Sequence, residues 1–282
     1  GWGRNLARNL SQLGALCAIA EHHPDHRRAV SSEVPTVTAF DDYPPILADP
    51  TVDAVVVATP AATHFDVVRD ALEAGKDVFV EKPLTLEREH AWRLVELAEQ
   101  QGRQLMVGHL LLFQPAIQWL RDFLSSGQIG TVCSIHQERL GLGRARDREN
   151  ALWCLGSHDV AVQRYLLDAS QVERLDAQGH CILQPQIEDD VYLHLLYENG
   201  VQSHLHCSWL WPEKRRSLVV VGTEGMVPRG HDQPLRLEME HFLACVEHRQ
   251  SCLCDGRFAA AVVELLADAT ANLRTPANAK EL

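Results

Sequence analysis

The sequence predicts two successive domains: an α/β domain built on a doubly wound parallel sheet, then an α+β domain with a large, open, mostly antiparallel sheet. In the first half, short apolar runs alternate with longer helical patterns, as in repeated strand–helix–strand units. In the second half, one long run alternates apolar and polar residues, which is typical of an antiparallel sheet with one covered face. The length of 282 residues suits two domains of about 100–200 residues each. We expect one domain over residues 1–108 and the other over 109–282.

The first elements follow from the apolar pattern. A helix is predicted over residues 5–13, and a short strand over 16–20 ends at Glu21. Residues 53–60 are mainly apolar, so we expect a strand buried on both faces of the sheet. A helix over 64–74 follows it.

The first domain continues with signals for helix ends. Gly75 ends the preceding helix, and a strand over 77–80 follows. Thr85 is the predicted N-cap of a long helix that ends near Gly102. A strand over 104–107 completes this part of the chain.

The second domain begins with helices. Pro115 opens an amphipathic helix that closes at Gly127, and another helical pattern begins near His158. The long alternating run covers 202–211 and predicts one strand. The stretch 226–235 is short for a connection to the last helices, so we expect residues to be missing there.

Composition excludes several classes of function. With 26 Lys and Arg against 38 Asp and Glu, the net charge of −12 disfavours binding to nucleic acid, which is recognised mainly by basic residues. No apolar run approaches the ~20 residues that a membrane span needs. The eight cysteines are scattered, so we expect reduced thiols and a cytoplasmic location. His204 and His206 resemble a metal-binding pair, but no third ligand is evident, and we expect a polar sheet face or subunit interface instead of a metal site.

The cofactor site is predicted where the parallel strands end, because doubly wound sheets bind ligands beyond the carboxyl ends of their strands. Gly3 fits the last glycine of a G-x-G-x-x-G turn whose earlier members would precede Gly1. Glu21 follows at the spacing of the acid that binds the adenosine ribose, which favours NAD over NADP. Arg27 and Arg28 lie close by and moderate this preference.

The sharpest motif follows the strand at 77–80. Lys82 leaves this strand between Glu81 and Pro83, and the proline restricts the backbone of the lysine to an extended conformation. Oxidation of a hydroxyl needs a hydride acceptor, a base and a cation beside the developing alkoxide. Lys82 is our candidate for that cation.

Several segments together resemble the glucose–fructose oxidoreductase/inositol dehydrogenase (Gfo/Idh/MocA) family, and the resemblance covers essentially the whole chain. Within the family, the chain is most similar to UDP-N-acetylglucosamine and UDP-N-acetylglucosaminuronate 3-dehydrogenases. The segments that carry the resemblance are residues 1–5, 58–64, 73–83, 105–115, 126–130 and 150–159.

The resemblance implies an NAD-binding Rossmann domain and an oxidoreductase that acts on a sugar hydroxyl, with C3 of a UDP-linked N-acetyl amino sugar as the expected target. Homodimers or homotetramers through the open sheet are implied as well. The implied catalytic pair is Lys82 as electrophile and His158 as base. The expected cofactor-binding residues are Trp2, Gly3, Arg4, Glu21, Thr59, Pro60, His64, Glu81 and Lys82.

The substrate residues include two departures from the family pattern. Cys154 stands where the family usually carries an aspartate, so Asp159 or a water would supply the missing polarity. Gln114 stands where relatives often have asparagine, whereas Asn150 matches the sugar pocket. Arg146 belongs to a loop with three arginines over residues 144–148, which we expect to bind an anion such as a diphosphate.

Three alternatives remain open at this point. The substrate is a free sugar or inositol, for which the arginine loop would be dispensable. The chain binds cofactor with reduced or no turnover because of Cys154. Or the enzyme is a lyase or glycosidase that regenerates its own NAD in each cycle.

Overall fold

The chain divides into two compact units in a computed structural model that describes residues 2–35, 37–168, 170–228 and 235–274. One unit comprises residues 1–110 together with 233–260, and the other comprises 111–232 together with 261–282. No helix in the described ranges is long and apolar enough to cross a bilayer. All eight cysteines are free thiols.

The first unit contains parallel strands connected by helices, as predicted. Strands β3, β4 and β5 form one parallel sheet in that order, and β1 and β2 form a separate parallel pair. The strand expected to be buried on both faces, β3, is buried only at Val57 and half-buried at its other three residues, whereas the first four residues of β4 are buried. The elements are α1 (Trp2–Gln12), β1 (Ala18–Ala20), α2 (Pro24–Glu33), β2 (Thr38–Phe40), α3 (Pro44–Ala48), β3 (Ala54–Val57), α4 (His64–Glu73), β4 (Asp77–Glu81), α5 (Arg88–Gln101) and β5 (Leu105–Gly108).

Local signals predicted the glycine ends of two helices correctly and misplaced the beginning of one. Gly75 and Gly102 adopt positive φ values of 72° and 61° just beyond α4 and α5, as glycine at a helix C-terminus does. The N-cap assigned to Thr85 was wrong, because α5 begins after Glu87 and the Thr85 hydroxyl donates to the Glu87 carbonyl at 2.6 Å. The segment that forms α2, β2 and α3 has a weak apolar pattern, and the sequence analysis assigned no elements there.

The second unit is built on a seven-stranded mixed sheet in the described residues. Its order is β11-β10-β6-β9-β8-β7-β12, and all neighbours are antiparallel except β6–β9 and β7–β12. This confirms the mostly antiparallel open sheet. The elements are α6 (Pro115–Ser125), β6 (Val132–Leu142), α7 (Ser157–Leu166), β7 (Val172–His180), β8 (Asp190–Tyr197), β9 (Gln202–Ser208), β10 (Leu210–Gly222), β11 (Met226–Pro228) and β12 (Leu273–Arg274).

The strand predicted over 202–211 is interrupted at Trp209. Leu205 and Cys207 lie on the buried face of β9, as predicted. Trp209 is buried as well and donates from Nε1 to Asp189 at 2.6 Å, and the chain continues from there as β10. The expectation of missing residues at 226–235 falls largely on residues 229–234, which lie outside the described residues.

Part of the C-terminal region of the chain belongs to the first compact unit. The first unit extends to Leu110, close to the predicted end at residue 108, but residues 233–260 also belong to it. Helix α8 (Leu235–His248) contributes Phe242, whose ring lies 5.6 Å from that of Phe79. Arg249 forms an ion pair with buried Asp77 at 2.8 Å. These contacts attach the segment to the parallel sheet, and α9 (Gly256–Ala271) begins there.

Candidate active site

The carboxyl ends of the parallel strands gather the expected cofactor residues in the first unit. Gly3 lies in the first turn of α1, where a Cβ atom would stand 3.4 Å from Cβ of Ala58. A larger side chain would therefore crowd the end of β3. Such close approach of helix and strand is the usual reason for glycine in a dinucleotide-binding turn. The free N–H groups at the start of α1 suit a phosphate group.

Trp2 and Glu81 form a direct contact at this edge of the sheet. The indole Nε1 of Trp2 donates to the Glu81 carboxylate. That carboxylate also packs on Gly108, where a Cβ atom would stand 3.0 Å from Oε2. Burial raises the pKa of Glu81, and the hydrogen bond from Trp2 and the charge of Lys82 act against this shift. The contact thus connects α1 with the end of β4.

His64 holds two of the expected cofactor loops together. Its ring is buried, with Nε2 at 2.9 Å from the carbonyl of Thr59 and Nδ1 at 2.8 Å from the carbonyl of Pro83. The Thr63 hydroxyl lies 2.9 Å from the carbonyl of Pro60 and donates there or to Thr59. With both ring nitrogens beside main-chain carbonyls, His64 connects the loop after β3 with the Lys82–Pro83 turn.

Glu21 and Arg4 lie on the side of β1. Glu21 follows β1 directly, and its carboxylate accepts a hydrogen bond from the backbone N–H of His23 at 2.9 Å. This is the strand end at which a ribose-binding acid is expected. Arg4 points elsewhere, because its guanidinium forms an ion pair with Glu33 of α2.

Lys82 lies near His109, a buried histidine that directly follows β5. Burial lowers the pKa of His109 to about 3, and the nearby Lys82 charge adds to this shift. His109 is therefore a neutral imidazole. Its Nδ1 is buried and has no hydrogen-bond partner among the described residues.

Helix α8 adds an acid that the sequence analysis did not identify. Glu238 is fully buried, and neither carboxylate oxygen has a hydrogen-bond partner within the described part of the chain. Burial raises the pKa of Glu238 well above its usual range, and the nearby Glu81 charge raises it further. The thiol of Cys254 lies near Glu238 and the backbone of His109. We call these four residues, Glu81, His109, Glu238 and Cys254, the α8 cluster.

In the second unit, the structure brings Arg146 and Cys154 together. The guanidinium of Arg146 contacts the Cys154 thiol, and this contact raises the pKa of the arginine. Arg146 and Arg144 border a cavity of about 250 Å³ that Leu183 and Gln184 also line. Asp147 lines the same cavity, so two arginines and one acid border it, and Cys154 is in contact with one of those arginines.

Asn150 is committed to contacts within the protein. Its amide donates to Glu188 at 2.9 Å, and its Oδ1 accepts from the backbone N–H of Trp153 at 3.1 Å. Both polar atoms therefore stabilise the turn that leads into α7. Gln114 is buried just before α6, in extended backbone conformation.

His158 and Asp159 occupy the first turn of α7 but differ in their surroundings. His158 is half-buried. Asp159 is buried, and its carboxylate forms an ion pair with Arg139 of β6. Both Asp159 oxygens accept hydrogen bonds from Arg139, one of them at 2.9 Å. Asp159 is thus engaged within the protein, which does not support the expectation that it supplies substrate polarity in place of Cys154.

The histidines of the open sheet face pair with one another and with an acid. His194 and His204 are 2.7 Å apart at their Nδ1 atoms, and His206 lies 2.8 Å from Asp190. No group of three or more His, Cys, Asp or Glu residues in the described ranges is arranged to hold a metal ion.

Sequence reasoning missed Glu238 and Arg139, although each had a local signal. Arg139 follows Ile135 and Gln137 at alternating positions of β6, so it lies on the face that the apolar residue assigns to the core. Glu238 precedes Phe242 by one helical turn and shares its buried face. A charged residue at a core position is the pattern that would have identified both.

Comparison with known proteins identifies the family. A model of an oxidoreductase family with an NAD-binding Rossmann fold matches residues 3–109, and the GFO/IDH/MocA C-terminal domain matches residues 117–227. The chain belongs to the GFO/IDH/MocA family. It is an NAD-binding oxidoreductase of the sugar and polyol dehydrogenase type.

Individual relatives in the GFO/IDH/MocA family differ in substrate. The chain is 26% identical over 285 residues to UDP-N-acetylglucosamine 3-dehydrogenase from Acidithiobacillus ferrooxidans, covering 90% of the chain and 88% of the relative. It is 29% identical over 239 residues to scyllo-inositol 2-dehydrogenase (NAD⁺) from Bacillus subtilis, covering 79% and 68%.

Solved structures share the fold of this GFO/IDH/MocA chain. The Acidithiobacillus ferrooxidans 3-dehydrogenase superposes with a TM-score of 0.86 at 23% identity, covering 97% of this chain and 94% of that one. The WlbA dehydrogenase from Bordetella pertussis, in complex with NADH and UDP-GlcNAcA, has a TM-score of 0.86 at 20% identity, covering 96% and 92%.

The edge of the first unit fits NAD. Gly3 leaves room for close approach beside the start of α1, and Glu21 follows β1 where an acid binds the ribose. The orphaned Nδ1 of buried His109 lies at the same edge as Lys82.

Proposed function

We propose that this oxidoreductase oxidises a hydroxyl of a nucleotide-linked sugar, with C3 of a UDP-linked N-acetyl amino sugar as the target. The supporting observation is that Arg146, which contacts Cys154, lines a cavity together with Arg144. The guanidinium of an arginine keeps its positive charge at neutral pH and presents several N–H donors, so Arg146 can bind an anionic ligand. A diphosphate is such a ligand, whereas an inositol carries no charge for the arginine to bind.

The catalytic roles follow from the chemistry of alcohol oxidation. The carbon gives up a hydride and the hydroxyl gives up a proton as the ketone forms. NAD, held at the edge that carries Gly3 and Glu21, would supply the hydride acceptor. The ammonium group of Lys82 stabilises the negative charge on the hydroxyl oxygen. The imidazole of His158 takes the proton, because histidine titrates near neutral pH.

The residues of the first unit prepare the cofactor edge. His64 fixes the turn that carries Lys82, through the carbonyl of Pro83 at 2.8 Å. The Trp2–Glu81 contact fixes the end of β4 directly before that lysine. A neutral His109 adds no second positive charge beside Lys82.

A second candidate is oxidation of inositol or a free sugar. The 29% identity to scyllo-inositol 2-dehydrogenase supports it. The two candidates differ in the role of Arg146. Only a nucleotide sugar has a diphosphate for this arginine to bind.

The test is to mix the purified protein with NAD and UDP-N-acetylglucosamine, its uronate, myo-inositol or scyllo-inositol, and to follow nicotinamide reduction by absorbance. We expect turnover with a UDP-amino sugar that falls at least ~100-fold in Lys82→Ala and in His158→Ala. Arg146→Ala should raise KM for that substrate about 10- to 100-fold, which is the loss of one charge-assisted hydrogen bond. The matched control is Arg174→Ala, at an exposed position of β7, which should leave KM unchanged.

The alternatives give different results in the same assay. Turnover with inositols only, unaffected by Arg146→Ala, overturns the nucleotide-sugar assignment. Product formation without net reduction indicates a lyase or glycosidase cycle. An absence of turnover with every substrate that Cys154→Asp does not restore indicates a cofactor-binding protein.

A further inference from the structure

A chain of buried polar side chains joins α7 to the C-terminal sheet. Arg139 bonds both oxygens of Asp159, and the Gln137 amide donates to Oδ1 of Asp159 at 3.3 Å. The Gln163 amide donates to Oε1 of Gln137 at 2.5 Å, and the Tyr197 hydroxyl donates to Oε1 of Gln163 at 3.0 Å. We call these five residues, each under 9% exposed, the β6–α7 network.

The spacing of the network residues fixes the rotation of α7. Asp159 and Gln163 are four residues apart, so they lie on one face of the helix. Gln137 and Arg139 are two residues apart, so they lie on one face of β6. Two side chains of a helix bonded to two side chains of a strand leave the helix no freedom to turn about its axis.

His158 takes its direction from this arrangement. It precedes Asp159 in the first turn of α7, and consecutive helical residues point about 100° apart. The imidazole therefore lies outside the network, on a neighbouring face of the helix. Any rotation of α7 that frees Asp159 from Arg139 would move His158 with it.

The energetics of the pair favour a single arrangement. Burial alone would lower the pKa of Arg139, but the Asp159 carboxylate outweighs this and raises it, so the guanidinium stays charged. Separation of the two groups would leave a charge unpaired away from water, which is strongly unfavourable. Alternative positions of the first turn of α7 that break the pair are therefore disfavoured.

We propose that Arg139 and Asp159 are positioning residues that orient His158, and that the Asp159 carboxylate does not contact the substrate. The proposal rests on the proposed function for the role of His158 as base. Asp159, the acid next to His158, therefore has a structural role within the second unit.

The test separates positioning from folding with the double variant Arg139→Met/Asp159→Leu. Replacement of both members of a buried ion pair by apolar residues often leaves stability unchanged or raises it, so this variant is expected to fold. Its kcat should fall about 100-fold, as expected for a misplaced catalytic group, while the Kd for NAD stays at the wild-type value. The acid limb of the pH profile of kcat/KM should shift as well, because the surroundings of His158 change.

The matched control is Arg121→Met, which removes an ion pair to Asp168 beyond the other end of α7. It should leave kcat within about 3-fold of wild type, because the β6–α7 network still sets the first turn. A folded double variant with wild-type kcat and pH profile overturns the proposal, and so does an equal loss in the control.

A second measurement tests the positioning role of Arg139 and Asp159 independently of the proposed function. The NMR signals of the His158 ring, assigned by their absence in His158→Gln, report its orientation whether or not a substrate is known. The proposal predicts that they shift and titrate differently in the double variant and stay unchanged in Arg121→Met. If the wild-type protein turns over no substrate, the proposed function fails, and these signals alone support or overturn the positioning role.

Discussion

Each unit buries a group of polar and charged side chains, but only one group satisfies its hydrogen bonds. In the β6–α7 network, the Asp159 carboxylate and the side chains of Gln137 and Gln163 all take part in hydrogen bonds. In the α8 cluster, both oxygens of Glu238 and Nδ1 of His109 lack partners among the described residues. The first group holds a charge pair in place, whereas the second contains an acid that must keep its proton.

The two groups therefore have different effects on the units that contain them. A charge pair has one favourable geometry, so the β6–α7 network imposes an orientation on α7. A neutral Glu238 imposes none, but it adds no second negative charge beside Glu81. Glu81 then remains the acid that contacts Trp2 next to Lys82.

The largest expected effect comes from removing one member of the Arg139–Asp159 ion pair. Arg139→Met leaves the Asp159 carboxylate buried without its cation, and it should lower the free energy of unfolding by about 3–5 kcal/mol. Urea denaturation followed by circular dichroism measures this change. The double variant Arg139→Met/Asp159→Leu is the control and should recover most of the loss. A single variant as stable as wild type would mean that the two clusters do not differ energetically.

Replacement of the buried acid of the α8 cluster should raise the free energy of unfolding instead of lowering it. Glu238→Met replaces an unsatisfied buried acid by an apolar side chain of similar length, so the free energy of unfolding should rise by about 1–3 kcal/mol. The gain should depend on pH, because the pKa of Glu238 is raised in the folded state. The folded state then binds more protons than the unfolded state, and wild-type stability falls as the pH rises above the ordinary value near 4.5.

Thermal unfolding at pH 5 and pH 8 measures this dependence. The difference in Tm between Glu238→Gln and wild type should be larger at pH 8, because glutamine has no proton to lose. A difference that is the same at both pH values would show that Glu238 is not held protonated. Asp77 is another buried acid of the first unit, but Asp77→Asn is not a suitable control, because Asp77 pairs with Arg249.

Sequence patterns predicted the fold where apolar periodicity and helix ends are strong. The strand around Val55, the helix that ends at Gly75 and the alternation around Leu205 all appear in the structure. They rest on local rules for burial and backbone conformation. The return of residues 233–260 to the first unit was not predictable in this way, since no local rule states which unit a C-terminal helix contacts.

The site was predicted less completely, because a residue's type does not reveal its partner. Asn150 and Asp159 were expected to face the substrate, yet Glu188 and Arg139 engage them. Glu81 and Trp2 were both expected at the cofactor edge, and they form a direct contact there. Topology determines that a residue lies at the end of a strand. Tertiary packing determines whether its side chain contacts a ligand or a neighbouring side chain.

The smallest expected effect comes from an ion pair outside both clusters. Arg257 bonds Glu99 through two nitrogens, one at 2.6 Å, but their side chains are 60% and 49% exposed. Water and salt screen such a pair, so Glu99→Gln should lower the free energy of unfolding by less than about 1 kcal/mol, and by less still at high salt. Urea denaturation at two salt concentrations, in parallel with Arg139→Met, gives the comparison. Equal losses in the two variants would mean that burial is not what makes the Arg139–Asp159 pair decisive for the second unit.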